Sequence, residues 1–460
     1  MAKKKVFMLQ LGCAKNQVDG ELMLGGAAAA GYEQVADAGD AEVLVVNTCA
    51  FIDEAKRESL DRIFELAAIK GDKPGCRLVV TGCMAERYSE ALAQEIPEID
   101  CLVGTGAVGQ FASVLDGLED GPGGATRIIK AGKHYLPTAA AERIVSDVDG
   151  SAYIKVSEGC DHECSFCVIP AIRGRHESRP IEDVAAEAEA LAARGIVEVN
   201  LVAQDLSAYG RDLGLKQGLA GLLYRLGRIE GLERIRCLYL YPNTLSDESL
   251  DAIAAVDAVC PYIDIPLQHA DGAVLRSMRR AANNRQLRRL LERIRARVDG
   301  AVLRTSFIVG FPGETESAFD TLCSFVQEMA FQNVAVFRYS PEEGSPAASL
   351  PGRVPYGEAC RRRDHLMALQ ESVSERVLAA RVGQRQRILV GGCEEDGSWY
   401  GRTWFQAPEI DGLTWLGTAS PGPAGSMVDA EVTGSSIHDL YAEVLDPATA
   451  SSIDAAPRHD

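Results

Sequence analysis

The stretch "EGCDHECSFCVIPAIRGR", residues 158–175, sets Cys160, Cys164 and Cys167 within eight positions as CxxxCxxC. That spacing is one ligand short of a tetrahedral zinc site and one short of a fully ligated iron–sulfur cluster. Free cysteine is often a small buried hydrophobe, but the polar neighbours Asp161, His162 and Glu163 argue against that here. Zinc would have to recruit His162, which lies between closely spaced ligands and is poorly placed to complete the same tetrahedron. Simple electron transfer calls for four cysteines, whereas three thiolates on four irons leave one iron open to a small molecule. The loop follows "AYIKVSEG", a run with the pattern of a buried strand. Similar runs recur at "VEVNLVAQ", "IRCLYLY", "YIDIPLQ", "AVLRTSFIVG" and "VAVFRYS", with helical patterns between them. About six β/α repeats predict a partial, TIM-like (β/α)6 barrel over 146–380, with its chemistry at the carboxyl ends of the strands.

Upstream, residues 1–135 alternate strands with helices: "KVFMLQL" (5–11), "EVLVVNT" (42–48) and "RLVVTG" (77–82) are the strands. Such βα repeats predict an open parallel α/β sheet. One cysteine follows each strand, Cys13, Cys49 and Cys83, at separations of 36 and 34 residues. The carboxyl ends of parallel strands share one edge, so these thiols are expected to meet at one rim. A Gly-rich passage, "LEDGPGGATR" (118–127), marks a boundary. Downstream, five short runs over 384–446, broken by Gly and Pro, predict a small closed, OB-like β-barrel. The polar tail 447–460 is expected to be disordered. Cys101, Cys237, Cys260 and Cys323 lie in apolar surroundings and suit the bland reading, as do Cys360 and Cys393; Cys76 is the leftover that rivals a ligand.

The 460 residues carry a formal net charge of −19. Phosphate contacts dominate nucleic-acid affinity, so such a chain favours a basic protein partner over RNA. Residues 384–445 repeat the bias with three arginines, no lysine and nine acids, a net −6. One segment dissents: "RSMRRAANNRQLRRLLERIRAR" (276–297) holds nine arginines, although its apolar residues recur at helical spacing and predict a solvated face on an amphipathic helix. No apolar run is long enough to span a bilayer, and the N-terminus reads as a strand and not as a signal peptide. A cytoplasmic setting is expected, where clustered cysteines point to metal or catalysis.

CxxxCxxC, with Phe166 before its last cysteine, resembles the signature of radical S-adenosylmethionine enzymes. Together with "LGCAKNQVD", "NTCAFIDEAKRES", "TGCMAERY" and the terminal barrel (resembling a TRAM module), it is similar to the methylthiotransferase family over nearly the whole chain, to about Leu445. That resemblance implies two [4Fe-4S] clusters, one on Cys160, Cys164 and Cys167 and an auxiliary one on Cys13, Cys49 and Cys83. It also implies S-adenosylmethionine on the open iron of the first, a radical that abstracts hydrogen, and a methylthio group supplied at the second. A flavodoxin or ferredoxin would be the reductant. By the same resemblance, Phe166, Gln204, Asp205, Arg304 and Gly310 line the S-adenosylmethionine site. Gln204 or Asp205 would bond ribose or ammonium, Arg304 would pair with the carboxylate, and Gly310 would admit the adenosine. "CDHECSFCVIPAIRGR", "IDIPLQHA" and "YSPEEGSPAA" resemble the ribosomal-protein branch, RimO-like, whose substrate is the β-carbon of an aspartate in small-subunit protein S-twelve. The MiaB-like branch, acting on tRNA adenosine, is the alternative, and charge disfavours tRNA. A non-catalytic iron–sulfur carrier is a second alternative. Ala14 departs from the family pattern, where proline is common.

Overall fold

The computed structural model describes residues 3–118, 126–132, 134–146 and 149–446; the tail 447–460, expected to be disordered, lies outside the described residues. The chain opens with β1 (Lys5–Gln10), α1 (Ala14–Ala29), β2 (Glu33–Gln34), β3 (Val43–Thr48), α2 (Asp53–Gly71), β4 (Arg77–Gly82) and α3 (Cys83–Glu95). β5 (Cys101–Val103), α4 (Phe111–Asp116) and β6 (Arg127–Ile129) follow. All six strands are parallel, in the order β2-β1-β3-β4-β5-β6. β3 is buried at every position, as a central strand covered on both faces must be. The sequence reading found β1, β3 and β4 but not β2, β5 and β6. Two or three residues are too few for a periodic pattern.

The second sheet contains β7 (Ser151–Lys155), and the short pair β8 (Ser157–Glu158) and β9 (Glu177–Ser178) flanks the cysteine loop and α5 (Ile169–Arg173). Then come α6 (Ile181–Ala193), β10 (Glu198–Val202), α7 (Gly218–Leu226), β11 (Arg234–Cys237), α8 (Asp247–Ala255) and β12 (Val259–Asp264). α9 (Gly272–Ser277), α10 (Asn284–Arg297), β13 (Val302–Val309), α11 (Glu316–Met329), β14 (Asn333–Arg338) and α12 (Tyr356–Ala379) complete it. The parallel order β7-β10-β11-β12-β13-β14 leaves the barrel open between β7 and β14. One difference from the sequence reading matters for the site. "IRCLYLY" does not run as a strand to its end: Tyr239 takes a φ of 63°, the chain leaves the sheet, and Tyr241 stacks on His162 of the cysteine loop.

The arginine-rich segment runs from the end of α9 into α10, which is opened by an Asn283/Gln286 capping box and buries Leu287, Leu290, Leu291 and Ile294. Three of the six arginines of α10 are paired with acids: Arg288 with Glu328, Arg293 with Asp247, and Arg297 with Asp247 and Asp251. Acids on α8 and α11 thus offset part of the charge that would otherwise attract RNA.

The last strands, β15 (Arg385–Cys393), β16 (Trp399–Arg402), β17 (Thr414–Gly417), β18 (Met427–Ser435) and β19 (Leu440–Val444), close a five-stranded barrel. A single apolar cluster runs from Val6 and Met23 of the first sheet, through Tyr153, Val202 and Tyr262, to Phe405 and Leu440. A buried polar joint reinforces it. Arg402 donates to Glu198 at 2.7 Å, Arg236 to the Trp404 carbonyl at 2.6 Å, and the Tyr262 hydroxyl to Asp411 at 2.6 Å. The terminal barrel is therefore clamped to the central one.

Candidate active site

Sharp turns bring the N-terminal cysteines together. Gly12 and Gly82 both have φ near +90°, and a side chain at Gly82 would sit 2.5 Å from the Thr48 carbonyl oxygen. Only glycine takes that conformation without strain. Cys13 becomes the N-cap residue of α1 and Cys83 the first residue of α3, positions where a helix dipole favours thiolate, although burial still raises the Cys83 thiol. Cys49 lies beyond β3, and the Ser59 hydroxyl clamps its N–H and its carbonyl at 3.1 and 3.0 Å. Asn16 ties the turns together by donating to the Leu11 and Thr48 carbonyls. Burial pushes the Cys49 thiol up to about 12, helped by the neighbouring Cys83 and Cys13. At Cys13 burial also opposes ionisation, but Lys15 and Arg173 outweigh it and lower the thiol.

The CxxxCxxC loop is held at both ends: the Cys160 N–H donates to the Gly174 carbonyl at 3.1 Å, and the Ile169 N–H points at the Cys167 sulfur at 3.4 Å. Burial pushes Cys160 up to about 11 and Cys167 up to about 12, with Cys164 adding to both. Each trio gathers soft donors, and burial opposes the charge at Cys49, Cys83, Cys160 and Cys167 until a cation joins them, the donor chemistry an iron–sulfur cluster requires. His162, which zinc would have needed, turns away: it pairs with Asp205 at 2.7 Å and stacks on Tyr241 with ring centroids 3.6 Å apart.

The remaining expected residues divide. Phe166 is buried beside Cys164. Gln204 donates to Glu158, two residues before Cys160, and its own carbonyl oxygen is unpartnered. Asp205 is the cap of a short 3-10 turn and bonds the Ala208 N–H, His162 and Thr244, so it positions the loop. Arg304 is engaged by Asp264 at 2.7 Å and faces Asp411 at 3.8 Å, which ties it to the barrel interior. The space a side chain at Gly310 would take is filled by Ala359 of α12 at 2.6 Å, and the Gly310 N–H is held by Glu314. Gly310 also lines a cavity of about 300 Å³ with Arg338, Tyr339 and Tyr356. Cys76 is buried and directs its thiol to the Ala41 carbonyl, clear of the trio.

Two features escaped the sequence reading. Arg280 is 8% exposed and lies over the Tyr241 ring at 4.4 Å and near Phe166 at 5.8 Å, while its Nε and Nη1 have no partner. A buried guanidinium left so needs an anion. The second feature is a group of buried charges, Asp19, Lys155, Glu158 and Arg173, lying between the two trios, with Arg173 Nη2 at 3.4 Å from the Cys83 sulfur. Lys155 and Glu158 in an otherwise apolar run were the available sign. Their partner Asp19, more than a hundred residues away, was not legible.

Residues 5–104 match the family described as Uncharacterized protein family UPF0004, 154–326 the Radical SAM superfamily, and 382–445 the TRAM domain. The chain is 45% identical over 449 residues to "Ribosomal protein uS12 methylthiotransferase RimO" of Anaeromyxobacter sp. (strain Fw109-5), covering 97% of this chain and 94% of that one. To the protein of the same name from Sorangium cellulosum it is 44% identical, covering 97% and 92%. Among solved structures, the radical S-adenosylmethionine methyltransferase TsrM of Kitasatospora setae shares the fold with a TM-score of 0.55 at 15% identity, covering 75% of this chain and 77% of that chain.

Proposed function

The chain belongs to the RimO family of ribosomal protein uS12 methylthiotransferases, and on that footing we propose that its six clustered cysteines divide into two ligand sets, one for each half of the reaction. Cys160, Cys164 and Cys167 would hold the [4Fe-4S] cluster of the radical SAM domain, and Cys13, Cys49 and Cys83 a second one. When bound, the two clusters and S-adenosylmethionine supply C–H cleavage at the substrate aspartate and the methylthio sulfur that replaces the hydrogen. The observation that carries this reading is the direct link between the sets: Arg173, six residues beyond Cys167, reaches the Cys83 sulfur. Two cysteine trios joined in this way are more than an electron carrier needs.

The protein's own groups do the holding. Arg280 offers two unpartnered N–H groups beside the radical loop, the donor set for a carboxylate such as that of S-adenosylmethionine. It takes the role the sequence reading assigned to Arg304. Gln204 presents a free carbonyl oxygen for an ammonium or hydroxyl donor, and Asp205 keeps His162 stacked on Tyr241. Residues 1–135 would serve sulfur, 146–380 the radical and 384–446 the substrate. In the last body Arg402 is buried against Glu198 and Arg387 pairs with Glu233. The acids outside are left to a basic protein rather than to tRNA phosphate. No helix among the described residues is long and apolar enough to cross a membrane. A substrate in the small ribosomal subunit would put the reaction in the cytoplasm, with a flavodoxin- or ferredoxin-type donor as its reductant.

Anaerobic reconstitution with iron and sulfide, then reductant and S-adenosylmethionine, is expected to add a methylthio mass to protein S12 and none to hypomodified tRNA. An increment on tRNA alone would reverse the substrate assignment. For Arg280→Ala, binding of S-adenosylmethionine to the reconstituted enzyme should weaken by about 10- to 100-fold, the loss of charge-assisted hydrogen bonds worth about 1.5–3 kcal/mol. Equilibrium dialysis reads this directly, and an unchanged Kd would return the role to another cation.

A further inference from the structure

Four charges meet where the N-terminal sheet and the radical loop touch. Lys155 and Arg173 each bond both Asp19 and Glu158. Arg173 to Asp19 is 2.5 Å, Lys155 to Glu158 is 2.7 Å, and Arg173 to Glu158 is 3.3 Å. The result is a closed, neutral ring whose side chains are at most 3% exposed. Three of its members are tied to a cysteine loop. Asp19 is on α1, six residues past Cys13, Glu158 lies two before Cys160, and Arg173 ends α5 and bonds Asn16 at 3.2 Å and the Cys83 sulfur at 3.4 Å.

Burying four charges costs more than packing apolar side chains in the same volume, so such a ring is a poor means of stabilising a fold; its best-attested use is to fix registry. An apolar patch between two sheets tolerates sliding, whereas hydrogen-bonded charges in a dry interior are satisfied in one arrangement only. A group transfer between two sites demands that, because a displacement of about 1 Å costs about 100-fold in rate.

We propose that the ring of Asp19, Lys155, Glu158 and Arg173 is a positioning device that holds the N-terminal cysteine trio at a set distance from the radical loop, with Arg173 also acting as the cationic donor to Cys83. This rests on the two-cluster reading above. None of the four is a catalytic residue: they act through the loops they join.

The test uses the full-length chain with Arg173→Gln, Asp19→Asn and the neutral double variant Asp19→Asn/Lys155→Gln. In metal-free protein, hydrogen exchange of segments 13–19 and 157–174 should rise together in all three, while the strands of the terminal barrel keep their protection. In the reconstituted enzyme, removing the cation should shift the potential of the N-terminal cluster negative, and removing the acid should shift it positive, because the ring's net charge changes by one in opposite senses. The double variant should keep a potential near the parent's. It also guards against unfolding, since it leaves no unpaired charge. All three should make more 5′-deoxyadenosine per methylthiolated product than the parent. Shifts of one sign in both single variants, or exchange that rises in only one loop, would overturn the proposal. Should the parent take up only half the expected iron, the two-cluster reading fails, and exchange in the metal-free chain decides the ring independently.

Discussion

Replacing Cys160, Cys164 and Cys167 together by alanine is expected to cut the iron of the reconstituted chain from about eight to about four per molecule and to abolish reductive cleavage of S-adenosylmethionine. The converse triple replacement of Cys13, Cys49 and Cys83 should also halve the iron but leave that cleavage running, with 5′-deoxyadenosine formed and no methylthio group transferred. The asymmetry follows from placement. Only the first trio lies beside Arg280, Tyr241 and Gln204, and only the second sits between Lys15 and Arg173, the cations that lower Cys13. Iron analysis with chromatography of the nucleoside product reads both outcomes. Cleavage that survives loss of Cys160, Cys164 and Cys167, or dies with the N-terminal set, would sink the division of labour.

Glu198→Gln should cost about 3–5 kcal/mol of stability, the penalty for removing one partner from a buried ion group. Glu198 faces Arg402 at 2.7 Å, Arg236 at 3.5 Å and Arg234 at 3.6 Å, and the Arg234 guanidinium also donates to the Arg402 and Arg387 carbonyls. Without the carboxylate three guanidiniums confront one another at the joint between the central and terminal barrels, with Asp149 at 3.2 Å from Arg402 offsetting only part of that charge. Burial opposes the Glu198 charge, but Arg402, Arg236 and Arg234 outweigh it and hold the carboxyl well below the usual glutamate range. Its contribution is therefore complete above the unfolded value of about 4.3 and fades as pH falls through the lower folded value. Urea unfolding of parent and variant should show a gap at neutral pH that narrows in acid. A gap that stays constant down to strongly acid pH would show that Glu198 acts by shape and not by charge.

The radical loop, the three spaced cysteines and the five short terminal strands were all readable from the chain, because each is a local pattern of spacing, alternation and turn residues. The parallel sense of the strands followed too, since β/α repeats with short connections leave a sheet little choice. The surroundings of Arg304 were the least legible. An arginine at the amino half of a strand gives no local sign of which carboxylate it will meet, and here Asp264 and Asp411 were waiting. Arg280 was passed over for the opposite reason: embedded in an arginine-rich run, it looked like one more solvated charge, yet it is the buried one with unpartnered donors.

Local pattern along the backbone was enough to say which cysteines follow strand ends and that the chain contains three bodies, since those properties depend on neighbours within one strand or one turn. Which charge answers which, across separations such as the 136 residues between Asp19 and Lys155, emerged only when the sheets packed. Water left those interfaces, and every buried ion then had to find a partner or remain available for a ligand.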